Sequence, residues 1–179
     1  EIIKTTFTSE VVNYICVIIY MSRFQKVNVA GDGACYFHAI VGFLDMERLV
    51  KDKTTYYKKG LDKEASDLRK NVVTWLRNNL NFQYENGLTI QEDIEDEINH
   101  KLHSIQDYLR YMSGPSAYGG QIEITATANI LGRNIRVFVQ KQGTYRNVGL
   151  GYEINKSKSK DITIFHNMKP GKGSGKHHF

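Results

Sequence analysis

An α+β fold is predicted by two observations: runs with helical periodicity fill the middle of the chain while strand-like alternation comes late, and the two do not interleave regularly. A third observation limits the fold to one domain. The chain has 179 residues, 41% of them hydrophobic and 24% charged, an ordinary globular composition whose single core needs no metal or disulfide staple. That domain is expected to span residues 1–179, with an N-terminal extension over about residues 1–26, and to stop at Phe179 short of its own C-terminal end.

Taken in order, Val11 to Met21 is the most apolar stretch. It is about half the roughly 20 residues that a bilayer requires, contains Asn13, and is expected to be a buried core segment rather than a membrane span. After the turn Gly31-Asp32-Gly33, apolar residues at Phe37, Ile40, Val41 and Leu44 mark one buried helix face, with Cys35 in the first turn. Ala65, Leu68, Val72, Leu76 and Leu80 mark a second helix, on which Arg69 and Lys70 point elsewhere. Thr89 with Glu92 and Ser104 with Asp107 have the spacing of N-terminal caps and open helices over Ile90 to Leu102 and Ile105 to Met112. Gln121 to Leu131 alternates like a strand and also repeats every fourth residue; its alanines and the stop at Gly132 favour helix. Ile135 to Gln140 and Asp161 to Phe165 alternate as strands. Lys51 to Gly60, Ser113 to Gly120 and Lys169 to Lys176 have loop composition.

A formal charge of +5 invites a polyanion partner, but its distribution does not. After residue 140 there are eight basic residues against two acidic ones, and before it sixteen against seventeen. The excess belongs to the tail, where a lysine- and glycine-rich loop is expected to be solvated rather than bound to nucleic acid or an anionic membrane. Two cysteines make no disulfide framework and point to a reducing compartment. Glu1 and Glu10 stand where a secretory signal needs positive charge, and a first residue other than Met marks a fragment or processed chain.

Reactive chemistry is concentrated at Cys35. The first turn of a helix supplies partial positive charge and backbone N–H groups that favour a thiolate, and Gly31 and Gly33 permit a turn in which the amides of Asp32 to Cys35 converge on a developing oxyanion. The alternative is a small buried hydrophobe, the reading that suits Cys16 in its apolar surroundings. A base must be one of six histidines. His38 shares the helix of Cys35 and is assigned to structure, and His100 with His103 lacks a second cluster of ligands, which disfavours zinc. His166, at the end of a strand, and His178, after the Gly/Lys loop, both remain.

The run Gly31-Asp32-Gly33-Ala34-Cys35-Tyr36-Phe37-His38-Ala39-Ile40 resembles the nucleophile motif of the ovarian tumour (OTU) family of cysteine deubiquitinases. Three further segments follow in the family's order: the helix with Leu68, Arg69, Val72 and Leu76; Tyr118-Gly119-Gly120 with Glu123, Ala126 and Leu131; and a strand, a glycine loop and His-aromatic. Together they cover about residues 27–179, and imply helix at Gln121 to Leu131 and a papain-like fold with a small central sheet flanked by helices. The resemblance implies Cys35 as nucleophile, an oxyanion hole from Asp32, Gly33, Ala34 and Cys35, and His178, directly before Phe179, as base. Asp32 shares the orienting of that histidine, whose usual polar partner would lie beyond Phe179. Should Gly171 to His178 be a linker and tag, the base becomes His166.

Tyr118, Gly119 and Gly120 are the implied substrate slot, narrow enough for the Gly-Gly end of ubiquitin. Ala34 stands where the family has Asn, and Tyr118 where it has Trp. The implied reaction is isopeptide hydrolysis through a thioester, without metal or cofactor, by a monomer acting on ubiquitin or a ubiquitin-like modifier. A divergent viral or bacterial-effector member acting in host cytosol would fit the low cysteine count. The competing expectation is a ubiquitin-binding module whose centre is weak or silent.

Overall fold

The computed structural model describes residues 14–20, 23–28, 34–51, 62–98, 102–141, 144–154 and 160–166, through the backbone alone at 14–28, 46–51, 139–150 and 166. Five strands form one mixed sheet: β1 (Tyr14–Tyr20), β2 (Arg23–Asn28), β3 (Ile135–Lys141), β4 (Thr144–Tyr152) and β5 (Ile162–His166), in the spatial order β2-β1-β5-β3-β4. Two antiparallel hairpins, β1–β2 and β3–β4, are joined by β5, which runs antiparallel to β1 and parallel to β3. The apolar segment expected as core is therefore an interior strand, paired on both edges.

The helices are α1 (Cys35–Lys51), α2 (Asp62–Asn78), α3 (Ile90–Ile98), α4 (Ile105–Met112) and α5 (Gln121–Leu131). α2 forms because Ala65, Leu68, Val72, Val73 and Leu76 fall on one buried stripe, with Asp62 and Glu64 in the first turn and Arg77 in the last complementing the helix dipole. α3 opens on the expected reciprocal cap. The Glu92 N–H donates to Thr89 Oγ1 at 3.2 Å, and the Thr89 N–H donates to Glu92 Oε2 at 2.8 Å. Residues 99–101, on the way to the expected end at Leu102, lie outside the described residues. α4 is capped by Ser104, whose Oγ accepts from the Asp107 N–H at 3.1 Å.

α5 settles the ambiguity at residues 121–131 in favour of helix. It closes at Gly132, whose φ of 63° is the left-handed conformation that glycine adopts without strain. Every residue from Ile122 to Ala128 is buried, so α5 is a central helix covered on all sides, packed against α2, α3 and β4. α1 packs against β1, β5 and α2.

Candidate active site

Cys35 is the first residue of α1 and is fully buried. A backbone bond runs from the His38 N–H to the Ala34 carbonyl at 3.0 Å, and the amides of residues 35–37, in the first turn, point toward the N-terminal end of the helix. Partial positive charge there favours a thiolate on Cys35 and an oxyanion formed beside it.

The segment between α4 and α5 is brought directly against this turn. A Cβ placed on Gly119 would lie 2.6 Å from Tyr36 Cδ1 and 2.9 Å from Tyr36 Cγ, so the Gly119 backbone rests on the ring of the residue that follows Cys35. Glycine is required at 119 because Tyr36 occupies the space. The sequence assigned that freedom to substrate; the structure assigns its underside to packing. Gly119 and Gly120 are buried, whereas Tyr118 is exposed beside them.

Two buried side chains, one basic and one acidic by residue type, hold this segment. Arg69, expected to point away from the core, is instead buried on α2. Its guanidinium lies over the Phe37 ring, 4.4 Å from the centroid. Its Nη1 donates to the carbonyls of Met112 at 3.0 Å and Ala117 at 2.9 Å, and its Nη2 to Pro115 at 3.4 Å. A planar fork with five donors can serve several carbonyls at once, which reverses the usual rule that arginine faces water. Glu123 on α5 is also buried. Its Oε2 accepts the Gly120 N–H at 2.7 Å and its Oε1 accepts the Tyr108 hydroxyl at 2.8 Å. Burial pushes the Glu123 carboxyl up from its ordinary value, opposed by those two donors and by the Arg69 charge. At the first residue of α5, Gln121 Nε2 donates to the Gly151 carbonyl at 2.8 Å and ties the start of the helix to β4.

Ala34 forms the turn before Cys35 and has no side-chain amide to offer an oxyanion. Asp32, Gly33 and His178 lie outside the described residues. The backbone of His166 closes β5, opposite Tyr14 of β1 and Val139 of β3, on a strand that packs against α1. His38 reaches from α1 to Asp62 at the start of α2, Nε2 to Oδ1 at 3.1 Å, in keeping with a structural assignment. Along α3, Glu92, Glu95, Asp96 and Glu97 are exposed, while Asp93 accepts the Tyr84 hydroxyl at 2.8 Å. Among the described residues no three His, Cys, Asp or Glu side chains converge as metal ligands, and no helix is long and apolar enough to cross a membrane.

Arg69, Tyr108 and the carboxylate role of Glu123 escaped assignment to the site from sequence. A signal existed for Glu123: it stands three residues after Gly120, the spacing at which a carboxylate reaches back to a helix N-terminus. None existed for Tyr108, whose partner is fifteen residues away.

A family model described as OTU-like cysteine protease matches residues 30–179. No curated protein matches. Among solved structures, the chain is similar to the crystal structure of the viral OTU domain protease from Dera Ghazi Khan virus, at 16% identity over 87% of this chain and 83% of that chain, with a TM-score of 0.44.

Proposed function

The chain belongs to the family of OTU-like cysteine proteases, thiol-dependent hydrolases, and from that premise we propose that it is a deubiquitinase whose nucleophile is Cys35. The observation that carries this reading is the juxtaposition of Cys35, at the N-terminal end of α1, with a glycine segment seated on the adjoining Tyr36 ring.

In this reading the Cys35 sulfur attacks the carbonyl carbon of the isopeptide bond after the terminal glycine of ubiquitin. His178 takes the thiol proton and returns it to the leaving lysine amine, and Asp32 helps to orient its ring. The amides from Asp32 to Cys35 hold the tetrahedral oxyanion, aided by the α1 dipole. Water then hydrolyses the thioester and regenerates the thiol. Tyr118 walls the slot, and the backbone of Gly119 and Gly120 lines it, leaving room only for a tail without side chains. A reducing cytosol suits a mechanism that depends on a thiol.

Ala34 favours a second reading, a ubiquitin-binding module with a silent centre, because it places a methyl group where a side-chain amide would support the oxyanion. Ubiquitin carrying a C-terminal electrophile separates the two. The enzyme reading expects covalent labelling of the wild type and none of Cys35→Ala; equal labelling of both, or of neither, sinks it. Turnover of a panel of di-ubiquitin linkages by the same pair then identifies the chain type, and loss of turnover in His178→Ala but not His166→Ala assigns the base.

A further inference from the structure

We infer that Arg69 and Glu123 are positioning residues: a buried guanidinium and a buried carboxyl group that clamp both ends of the Tyr118-Gly119 step and set its place beside Cys35. This rests on the reading of residues 118–120 as the slot for the substrate's C-terminal tail.

The geometry is specific to that step. Ala117, on one side, has its carbonyl held by Arg69 Nη1 at 2.9 Å. Gly120, on the other, has its N–H held by Glu123 Oε2 at 2.7 Å. Between them, Gly119 presses on Tyr36 and Tyr118 faces solvent. Each anchor is itself fixed. Arg69 also serves Met112 and Pro115 and stacks on Phe37, and Glu123 also accepts from Tyr108. Arg69 meets α1 at Phe37, and the loop that Glu123 holds meets it at the preceding residue, Tyr36.

A charged side chain is costly to bury unless its partners are complete, and one that donates to three carbonyls between residues 112 and 117 fixes the path of that segment. Apolar packing alone would hold the loop against the core without dictating where its peptide groups point. Hydrogen bonds to named carbonyl and N–H groups dictate it, and a substrate tail without side chains is recognised through peptide groups alone.

The test uses the full chain with Glu123→Leu, which removes the acceptor, Glu123→Gln, which restores an acceptor without the charge, and Arg69→Lys. The last keeps a cation but cannot fork across three carbonyls, and it remains informative if Glu123→Leu fails to fold. Two readouts are taken: amide hydrogen exchange across residues 117–120, and steady-state hydrolysis of a fluorogenic ubiquitin C-terminal amide. Glu123→Leu and Arg69→Lys are expected to speed loop exchange at least about tenfold with α1 and α5 unchanged, opening that part locally. Both are expected to raise KM about tenfold or more while kcat stays within about twofold, the pattern of lost binding to the tail. Glu123→Gln is expected to return both readouts most of the way to wild type.

Unchanged loop exchange overturns the clamp, whatever the substrate. Faster exchange with an unchanged KM overturns the positioning role. Wild-type protein that orders this loop through Glu123 and does not turn over ubiquitin overturns the deubiquitinase reading, and with it the assignment of the clamp to a substrate tail.

Discussion

Replacing Gly119 by alanine puts a methyl carbon 2.6 Å from Tyr36 Cδ1 and 2.9 Å from Cγ, where carbon atoms at rest stand roughly 3.5–4.0 Å apart. The overlap is therefore about 1 Å, and neither side yields easily. Cγ is near the root of the side chain, so a rotation of the ring does not clear it. The ring is buried with its edge against Phe37, centroids 5.0 Å apart, and Phe37 lies under Arg69. On the other side, the loop is held at Ala117 and Gly120. Gly119 is absent from the described glycines with positive φ, so the penalty is steric and not conformational.

Overpacking of this kind costs about 1–3 kcal/mol. For a chain of this length each kcal/mol lowers Tm by about 2–4 °C, so the expected fall is roughly 2–12 °C. If the loop moves instead, its displacement beside Cys35 reduces kcat/KM by up to about a hundredfold. Thermal unfolding and hydrolysis of a ubiquitin C-terminal amide read the two outcomes. In a double-mutant cycle with Tyr36→Ala the two losses are expected to be less than additive by about 1–3 kcal/mol, because the second change removes the obstacle. Wild-type Tm and turnover in Gly119→Ala, or strict additivity in the cycle, would refute the reasoning.

Two further outcomes follow from polar groups elsewhere. The folded chain binds the Glu123 proton more tightly than the unfolded chain does, since burial raises the carboxyl above its ordinary 4.5. Stability from this group is therefore present at and below the unfolded value and falls as pH rises through the higher folded value. The stability of wild type relative to Glu123→Gln should accordingly increase as pH is lowered from 8 toward about 4.5 in paired denaturation curves; a constant difference would contradict this. Ser104→Ala removes an exposed N-cap from α4 and should cost about 1 kcal/mol in urea denaturation, with Ser104→Thr recovering most of it.

Where local chemistry decides structure, the sequence was legible. Ser104 and Thr89 announced the starts of α4 and α3, Gly132 the end of α5, and the stripe from Ala65 to Leu76 the buried face of α2. The strands were harder. β1 is paired on both edges and shows no alternation, and β4 carries Gly149 and Gly151 opposite an irregularity between Arg136 and Phe138 in β3, which breaks the period of two. At the site, the address of Cys35 was readable from the turn that precedes it, and Gly119 and Gly120 from a motif. The role of Arg69 was not. Arg69 reads as a surface residue until the carbonyls of residues 112–117 are in place around it, and those come from a segment more than forty positions away.

β5 is the last described strand along the chain, yet it occupies the middle of the sheet, with Tyr14 and His166 opposite one another. During synthesis the β1–β2 and β3–β4 hairpins therefore wait, each with an open edge, until β5 has left the ribosome. Pairing across nearly the whole chain is slow to close, and in that interval the open edges are sites for misassembly. α1 gains its full seat on β1 and β5 only when that wait ends. A nascent chain thus carries the sequence around Cys35 long before it carries β5, the strand on which α1 packs.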